Sequence, residues 1–309
     1  MRPVRTALAG ALLGTLVLAG CGQTTPTASP SGTPAASSAG FPVTIEAGNG
    51  KVTLTKKPER IVSLSATHTE TLFAIGAGPQ VVAVDDQSNY PPEAPKTDLS
   101  GFKPNVEAIV AHRPDLVIVS DDLDKIVAEL GKVNVPVLVQ PAAVKLDDAY
   151  EEIAELGAAT GNKAKADEVA SGMRTAMEKL AADAPKDKKL TYYHELDQTP
   201  YAATSQTFIG QIYAMFGLTN VADEAPDAAG GYPKLSAEFV AQADPDLIFL
   251  ADVKCCKQSK DTLAQRPGWK NLSAIKNDQV IQLDDDLASR WGPRVVQLAE
   301  TVAAAVAKA

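Results

Sequence analysis

Two segments of the chain follow the same pattern of apolar and polar positions. NVEAIVAHRPDLVIV (residues 105–119) and SAEFVAQADPDLIFL (residues 236–250) share a glutamate near the start, then Pro-Asp-Leu at the same distance, then an apolar run. Each copy of this template predicts a short helix with an acid in its first turn, where the helix dipole favours it, then a turn and a buried parallel strand. We therefore expect two lobes, each with one equivalent glutamate, Glu107 and Glu238.

Apolar runs that predict strands alternate with helical patterns along the first half of the chain. In the helix that follows the first buried strand, Thr67 and Glu70 have the spacing of a Thr-x-x-Glu capping box. This alternation is typical of βαβ units and of a mostly parallel sheet. The predicted segments are edge strands at 41–45 and 51–54, buried strands at 60–64, 81–84 and 136–139, and a helix over 124–132.

The middle of the chain, residues 146–184, contains helix formers and no strand signal, with a break at Gly161-Asn162. The second helix of this region, 163 to about 182, is long and charged on one face, which favours a rigid connector. After this helix, strand and helix patterns alternate again. The expected fold class is α/β: two lobes, each with a mostly parallel sheet flanked by helices, joined by one long rigid helix. The later predicted elements are strands at 190–193 and 280–283, helices over 208–216 and 261–275, and a final helix from Pro293.

The N-terminus has the layout of a secretory signal peptide, with Arg2 and Arg5 ahead of an apolar stretch that is too short to span a bilayer. The sequence Leu18-Ala19-Gly20-Cys21 resembles the bacterial lipobox, which predicts lipidation of Cys21; the alternative is ordinary cleavage nearby and a thiol left at Cys21. Ser, Thr, Pro, Ala and Gly dominate the next stretch, a composition typical of a flexible spacer. We expect an extracytoplasmic protein that is lipid-anchored to the outer face of the cytoplasmic membrane.

The predicted domain plan has five parts. It comprises a signal peptide at 1–20, the lipidated cysteine and linker at 21–40, an N-terminal α/β lobe at 41–162, a connecting helix at 163–184 and a C-terminal α/β lobe at 185–309.

Composition and motifs argue against several classes of function. With 309 residues, of which 45% are hydrophobic, the chain can bury sizeable cores, and its formal charge of −9 disfavours nucleic acid as a partner. The sequence contains no Walker loop, no Gly-x-Ser-x-Gly and no His-Glu-x-x-His, and its three histidines lie far apart. We therefore expect a binding protein and not an enzyme, without a resident cofactor or metal ion.

Aromatic and charged residues gather in the loops after predicted strands, where open α/β sheets bind ligands. An Asp run, Asp284 to Asp286, adds charge near the end of the chain beside Arg294. The ordinary alternative is that such aromatics pack under their own loops and that the acids form a solvated ion-pair network. The candidate ligand-binding residues are His68, Tyr90, Phe102, Tyr201, Tyr232, Asp286, Arg290 and Trp291.

The adjacent pair Cys255-Cys256 lies in the loop after the second template strand. Outside the cytoplasm, two thiols that remain after Cys21 is lipidated tend to oxidise with each other. One hypothesis is a vicinal disulfide that forms a stiff hydrophobic edge to the cleft; the alternative is two reduced, packed thiols.

From about Lys57 to Ala309 the chain resembles the substrate-binding proteins of ABC importers for vitamin B12, ferric siderophores and haem. The resemblance rests on PERIVSLSATHTETLFAIGA, on the Asn-x-Glu-Ala-Ile helix and on Ser-x-Glu ahead of Pro-Asp-Leu. It implies a monomer that clamps its ligand between two lobes and delivers it to a permease dimer served by an ATPase. It also implies that Glu107 and Glu238 dock onto arginines of the permease.

For the ligand, the resemblance is nearest to the vitamin B12 binder, whose cleft positions fall on Phe102, Tyr201, Tyr232, Asp286 and Arg290. The chain departs from that protein, which has tryptophans at two of these positions and no counterpart of the cysteine pair. Anionic ferric siderophores would be served by arginines and aromatics of the same loops, while haem would take an axial ligand from His68, His194, Tyr201 or Tyr232. We expect cobalamin or a ferric siderophore; the alternatives are haem, or a redox or hydrolytic lipoprotein that uses Cys255-Cys256.

Overall fold

The structure is a computed structural model that describes residues 40–185 and 187–309. The predicted signal peptide, Cys21 and most of the linker lie outside the described residues. Within the described part of the chain, none of the helices has the length and apolar character needed to cross a bilayer.

The described chain begins with a separate two-stranded antiparallel hairpin, β1 (Val43–Ala47) and β2 (Gly50–Leu54). The sequence predicts two edge strands in this part of the chain. The two strands pair with each other, in a register that places Ile45 opposite Val52.

The first lobe is built on a four-stranded, all-parallel sheet with the strand order β4-β3-β5-β6. Its strands are short and almost entirely buried, as expected of a sheet covered on both faces. Its elements are β3 (Ile61–Ser63), α1 (Ala66–Ala74), β4 (Val81–Val84), α2 (Val106–Ala111), β5 (Leu116–Val119), α3 (Ile126–Gly131), β6 (Val137–Val139) and α4 (Leu146–Thr160).

A 21-residue helix, α5 (Lys163–Asp183), joins the lobes. Gly161 ends α4 with a φ of 70°, a left-handed conformation that glycine adopts without strain. The helix is polar on most of its surface and buries Ala166, Met173 and Met177. These side chains belong to one apolar core that also includes Ile61 of the first lobe and Phe249 of the second, so α5 is packed against both.

The second lobe carries a five-stranded mixed sheet with the order β11-β10-β7-β8, in which β9 also pairs with β7. All its pairings are parallel except that between β7 and β8. The predicted fold class of two α/β lobes joined by one long helix is thus confirmed. The elements are β7 (Thr191–Asp197), β8 (Tyr201–Ala202), α6 (Phe208–Ala214), β9 (Thr219–Asn220), α7 (Ala237–Ala243), β10 (Leu247–Leu250), α8 (Val253–Cys256), α9 (Lys260–Ala264), α10 (Ser273–Lys276), β11 (Val280–Gln282), α11 (Asp285–Ser289) and α12 (Val295–Lys308).

The two template copies have the same local structure. Asn105 and Ser236 cap α2 and α7 by accepting bonds from the backbone N–H three residues on, at 2.9 and 3.0 Å. The aspartate of each Pro-Asp-Leu accepts bonds from the start of the neighbouring strand: Asp115 from the backbone N–H of Arg60, and Asp246 from that of Thr191, both at 2.8 Å. The template therefore begins a helix and fixes the beginning of a strand pair.

Three local expectations were wrong. Ser65, and not Thr67, is the N-cap residue of α1, and Glu70 lies inside the helix, where it binds arginines instead of reaching back to the cap. The helix expected over 261–275 is broken into α9, a turn of 3-10 helix at Trp269–Asn271, and α10. The helix expected over 124–132 becomes regular only at Ile126, because Asp124 and Lys125 adopt positive φ.

Candidate ligand-binding cleft

A cavity of about 730 Å³ opens at the carboxyl end of the first lobe's sheet. This is the edge at which parallel strands deliver their following loops, and the volume lies within the range of ligand pockets. Loops after β3, β4, β5 and β6 all contribute, and Ser289 to Trp291, between α11 and α12, forms another wall. The lining residues are Leu64, Ser65, Ala66, Thr67, Asp85, Gln87, Gly101, Phe102, Ser120, Asp121, Leu123, Pro141, Ala142, Ser289, Arg290 and Trp291.

The loop that carries Phe102 depends on a glycine. A Cβ atom at Gly101 would lie 2.5 Å from the carbonyl oxygen of Leu64 and 2.9 Å from a carboxylate oxygen of Asp85. Only glycine lets the loop pass this close to the end of β3. As a result Phe102 projects at the cavity with 74% of its surface exposed.

Trp291 is the second aromatic residue of the cavity wall. Its indole Nε1 donates to a carboxylate oxygen of Glu152 on α4 at 2.8 Å, and its ring meets the edge of His68 with centroids 5.9 Å apart. An aromatic side chain held from behind in this way offers a fixed surface for stacking.

Arg290 also lines the cavity, but most of its N–H groups already donate hydrogen bonds to other protein groups. Nη1 donates to Glu70 at 2.6 Å and to Asn89 at 3.0 Å, while Nη2 donates to Asp286 and to the Gln87 carbonyl, both at 2.9 Å. A guanidinium has five N–H donors, so these bonds take four of them. Arg290 thus binds α1 and the loop after β4 to the segment that precedes α12.

The three aspartates of the Asp run each make a different contact next to the cavity wall that Arg290 forms. Asp284 caps α11, and Asp285 accepts bonds from the backbone N–H groups of Val253, Lys254 and Cys255. Asp286 pairs with Arg290 and with Lys254, whose Nζ lies 2.9 Å away. Burial opposes ionisation of Asp286, but these cations and the amide of Asn89 outweigh it and lower its pKa. The run thus forms an ion-pair network in which Asp284 and Lys254 stay partly exposed.

The remaining sequence candidates lie away from the cavity. His68 is fully buried behind Trp291, with Nε2 3.5 Å from Glu152, so it presents no surface to a ligand in this structure, contrary to expectation. Tyr90 stacks on Arg294, whose guanidinium carbon is 4.0 Å from the ring centroid, beside a separate depression. Tyr201 and Tyr232 of the second lobe are 40% and 44% exposed but are not part of the cavity wall.

The sulfur atoms of Cys255 and Cys256 lie next to each other in the structure, and the vicinal disulfide stays a prediction. The two cysteines end α8, directly beside the backbone groups that Asp285 holds. Cys255 is exposed, and neither cysteine lines the cavity.

Sequence reasoning missed a buried ion-pair cluster at the carboxyl ends of the second lobe's strands. Arg266 forms a bidentate pair with Glu195 at 2.6 and 2.7 Å, and the Tyr193 hydroxyl donates to the same carboxylate at 3.0 Å. Asp252 is fully buried beside them; burial and the nearby Glu195 raise its pKa to about 7. Glu195 and Arg266 are 71 positions apart, so no sequence spacing pointed to this cluster.

The template glutamates are placed alike. Glu107 lies in the first turn of α2 and Glu238 in the first turn of α7, and both are exposed. In the described residues, no group of three or more His, Cys, Asp or Glu side chains has the arrangement of a metal site.

Comparisons with known proteins identify the family. The model of the periplasmic binding protein family matches residues 61–287, so the chain belongs to that family. An uncharacterised ABC transporter substrate-binding lipoprotein of Bacillus subtilis is 29% identical over 310 residues, which cover 96% of this chain and 95% of that protein.

Two further relatives have names that specify a ligand. A cobalamin-binding protein of Halobacterium salinarum is 29% identical over 262 residues, which cover 82% of this chain and 70% of that protein. The solved structure of a periplasmic haem-binding protein from Roseiflexus sp. RS-1 superposes with a TM-score of 0.70 at 26% identity, covering 80% of this chain and 99% of that one. These relatives are named as binding proteins and not as enzymes.

Proposed function

We propose that this protein is the extracytoplasmic substrate-binding component of an ABC importer, and that it captures a metal chelate, cobalamin or a ferric siderophore, for delivery to a membrane permease. The observation that carries the proposal is the cavity at the strand ends, which is lined by two aromatic residues, Phe102 and Trp291. The chain performs no covalent chemistry in this role. The names of the Bacillus and Halobacterium relatives support it.

The physical basis of binding would be aromatic contact in a cavity that is already formed. Phe102 offers a large exposed surface and Trp291 a ring fixed through Glu152, so both can cover the flat faces of a chelate at little cost in side-chain entropy. Among the described residues, the cavity wall contains neither histidine nor tyrosine. Since those side chains are the usual axial ligands of haem, this composition favours a chelate whose own groups satisfy the metal.

The proposal includes a lipid anchor at Cys21, which would hold the binding lobes near the permease by a tether. Its support is the lipobox-like sequence before Cys21 and the name of the Bacillus relative. Mass spectrometry of the membrane-extracted chain tests it: a diacylglyceryl-type mass increase on Cys21 is expected, and an unmodified or absent Cys21 would contradict it.

The first test of the ligand is a fluorescence titration of the chain with Cys21→Ser, which prevents lipidation. Cobalamin, ferric siderophores and haem are added in turn, with correction for their absorbance. The chain has two tryptophans: Trp291 lines the cavity, whereas Trp269 is fully buried in the second lobe. Saturable quenching that is lost in Trp291→Phe, while calorimetry still detects binding, would locate the chelate in the cavity.

A matched pair of aromatic variants sharpens that titration. Phe102→Ala should weaken binding by about tenfold or more, because a stacked aromatic ring contributes about 1–2 kcal/mol. Tyr90→Ala removes another exposed aromatic residue, one that lies outside the cavity, and should leave affinity unchanged. Equal losses in both variants, or no binding of any chelate by the parent chain, would refute the proposed site.

We further propose that Glu107 and Glu238 dock onto arginines of the permease. Both are exposed on equivalent helices, as required of a partner that grips the two lobes alike. Glu107→Ala with Glu238→Ala should leave chelate affinity unchanged and abolish uptake by cells that carry the permease. Glu151→Ala with Glu224→Ala removes the same charge from other exposed positions and serves as the control. Normal uptake with the first pair would exclude the docking role.

A further inference from the structure

Acidic residues outnumber basic residues in the wall of the cavity. Among the described lining residues, Asp85 and Asp121 are acidic and Arg290 alone is basic. An anionic ligand would therefore depend on Arg290 for attraction. Whether this guanidinium is available decides which ligand charges the cavity accepts.

Glu70 is the group that limits the availability of Arg290. Its side chain is 2% exposed, it lies on α1 directly behind the wall, and it accepts bonds from Arg290 Nη1 at 2.6 Å and from Arg294 Nε at 2.7 Å. Its charge also raises the pKa of Arg294. One buried carboxylate thus compensates two guanidinium groups.

The rest of the network removes the remaining positive charge. Asp286 takes a further donor of Arg290, and Asp284 and Asp286 both bind Lys254, at 2.8 and 2.9 Å. An anion that approached Arg290 would find one N–H donor unbonded in the described structure, and for a second bond it would have to displace a group that the guanidinium already binds. It would also meet Asp85 and Asp121, which line the same cavity.

We propose that Glu70 is a specificity-determining residue, which by holding Arg290 in an ion pair restricts the cleft to chelates without net negative charge. A corrinoid with neutral amide groups and a neutral or cationic ferric hydroxamate meet this requirement, whereas a ferric tris-catecholate does not. The inference rests on the proposed function, since it presumes that the cleft binds a metal chelate. It goes further by naming the charge class and the residue that sets it.

The experiment compares two probes, cyanocobalamin, which is uncharged overall, and a ferric tris-catecholate, which is strongly anionic. The parent chain should bind the neutral probe and bind the anionic one about a hundredfold more weakly or not at all. Glu70→Gln keeps the shape of the side chain but leaves Arg290 with less compensation. We expect it to gain about tenfold or more in affinity for the anionic probe, with the neutral probe changed less than about threefold.

Two variants separate this role from a purely structural one. Glu152→Gln alters another buried acid at the same wall, one that bonds Trp291 and no arginine in the described structure, so it should bring no gain for the anionic probe. Glu70→Gln combined with Arg290→Gln should lose the gain, and the gain itself should weaken as salt is raised. Should Glu70→Gln fail to fold, Asp286→Asn weakens compensation of the same guanidinium at a more exposed position and should show the same gain.

Failure of this inference and failure of the proposed function would give different results. An unchanged anionic affinity in both Glu70→Gln and Asp286→Asn would overturn the inference, as would equal binding of the two probes by the parent chain; neither result would affect the proposed function. If the parent chain binds none of a neutral corrinoid, a neutral hydroxamate and the catecholate, the proposed function itself fails.

Discussion

Asp121 and Asp252 occupy the same position after the template strands of the two lobes but lie in opposite environments. Asp121 is exposed and lines the cavity, whereas Asp252 is fully buried. The strand beside each explains the difference: Leu64 directly follows β3 in the first lobe, and Glu195 takes the equivalent place on β7 in the second, opposite Leu250. Glu195 brings Arg266 and Tyr193 with it, and their cluster fills the space that remains open in the first lobe.

The two copies share the residues that build the helix and the strand, but they differ in the residues that follow the strand. The cap, the Pro-Asp turn and the apolar run are kept in both copies, because they build the helix and the strand. The residues after the strand are not kept. In the first lobe Asp121 lines the open cavity, and in the second Asp252 lies beside the buried ion pair of Glu195 and Arg266.

Replacing the buried arginine of the second lobe should have the largest effect on stability. Arg266→Met leaves the fully buried Glu195 without its cation, which we expect to cost about 3–5 kcal/mol of unfolding free energy. Arg60→Met is the matched variant in the first lobe, where the guanidinium donates to the His112 and Arg113 carbonyls at the end of α2. It should cost about 1 kcal/mol. Urea unfolding monitored by circular dichroism measures both.

A double replacement tests whether the lobes differ only by this cluster. Glu195→Leu, which copies Leu64, combined with Arg266→Met should recover most of the stability lost in Arg266→Met, because an apolar pair replaces a buried ion pair. A double variant as unstable as the single one, or equal costs for Arg266→Met and Arg60→Met, would contradict the comparison.

The shared part of the template should respond alike in both lobes. Asp115→Ala and Asp246→Ala each remove bonds to the backbone at the start of the neighbouring strand, so each should cost about 2 kcal/mol. Hydrogen exchange should show faster opening of β3 in the first variant and of β7 in the second. Costs that differ by more than about twofold would mean that the duplicated turn is not equivalent in the two lobes.

Periodicity and repetition made the fold predictable from the sequence. The duplicated template, the run of helix formers over 146–184 and the short apolar runs each depend on local spacing, and local spacing sets helices and strands. The capping box at Thr67 and Glu70 failed for an instructive reason. The local pattern was present, but two arginines more than 200 residues away compete for the same carboxylate, and the ion pairs win.

The candidate site was less predictable, because its walls are assembled from distant segments. Phe102, Arg290 and Trp291 were expected in the cleft and line the cavity, although their binding roles stay predictions. His68 follows a strand end as a ligand residue would, yet the helical turn of α1 directs it inwards behind Trp291. Glu195, Asp252 and Arg266 carried no signal, since partners this far apart in sequence meet only in the folded lobe.

The subtlest difference between the lobes should lie in the pH dependence of stability. Asp252 has a pKa of about 7 in the folded protein against an ordinary value of 3.8, so it binds a proton on folding and its contribution to stability falls as the pH rises between these values. Above pH 7 two carboxylates, Asp252 and Glu195, share one guanidinium. Asp252→Asn removes the extra charge at the same size, so relative to the parent chain it should be more stable at pH 8 than at pH 5, by about 1 kcal/mol or more.

Asp121→Asn is the control for this measurement, because it makes the same substitution at the equivalent template position, where the side chain is exposed. His194, whose pKa burial lowers to about 3, changes stability in the opposite direction as the pH is varied. It is present in the parent and in both variants, so it cancels when each variant is subtracted from the parent. A pH-independent difference for Asp252→Asn would mean that Asp252 is ionised throughout the range, and it would contradict the pH dependence expected of the second lobe.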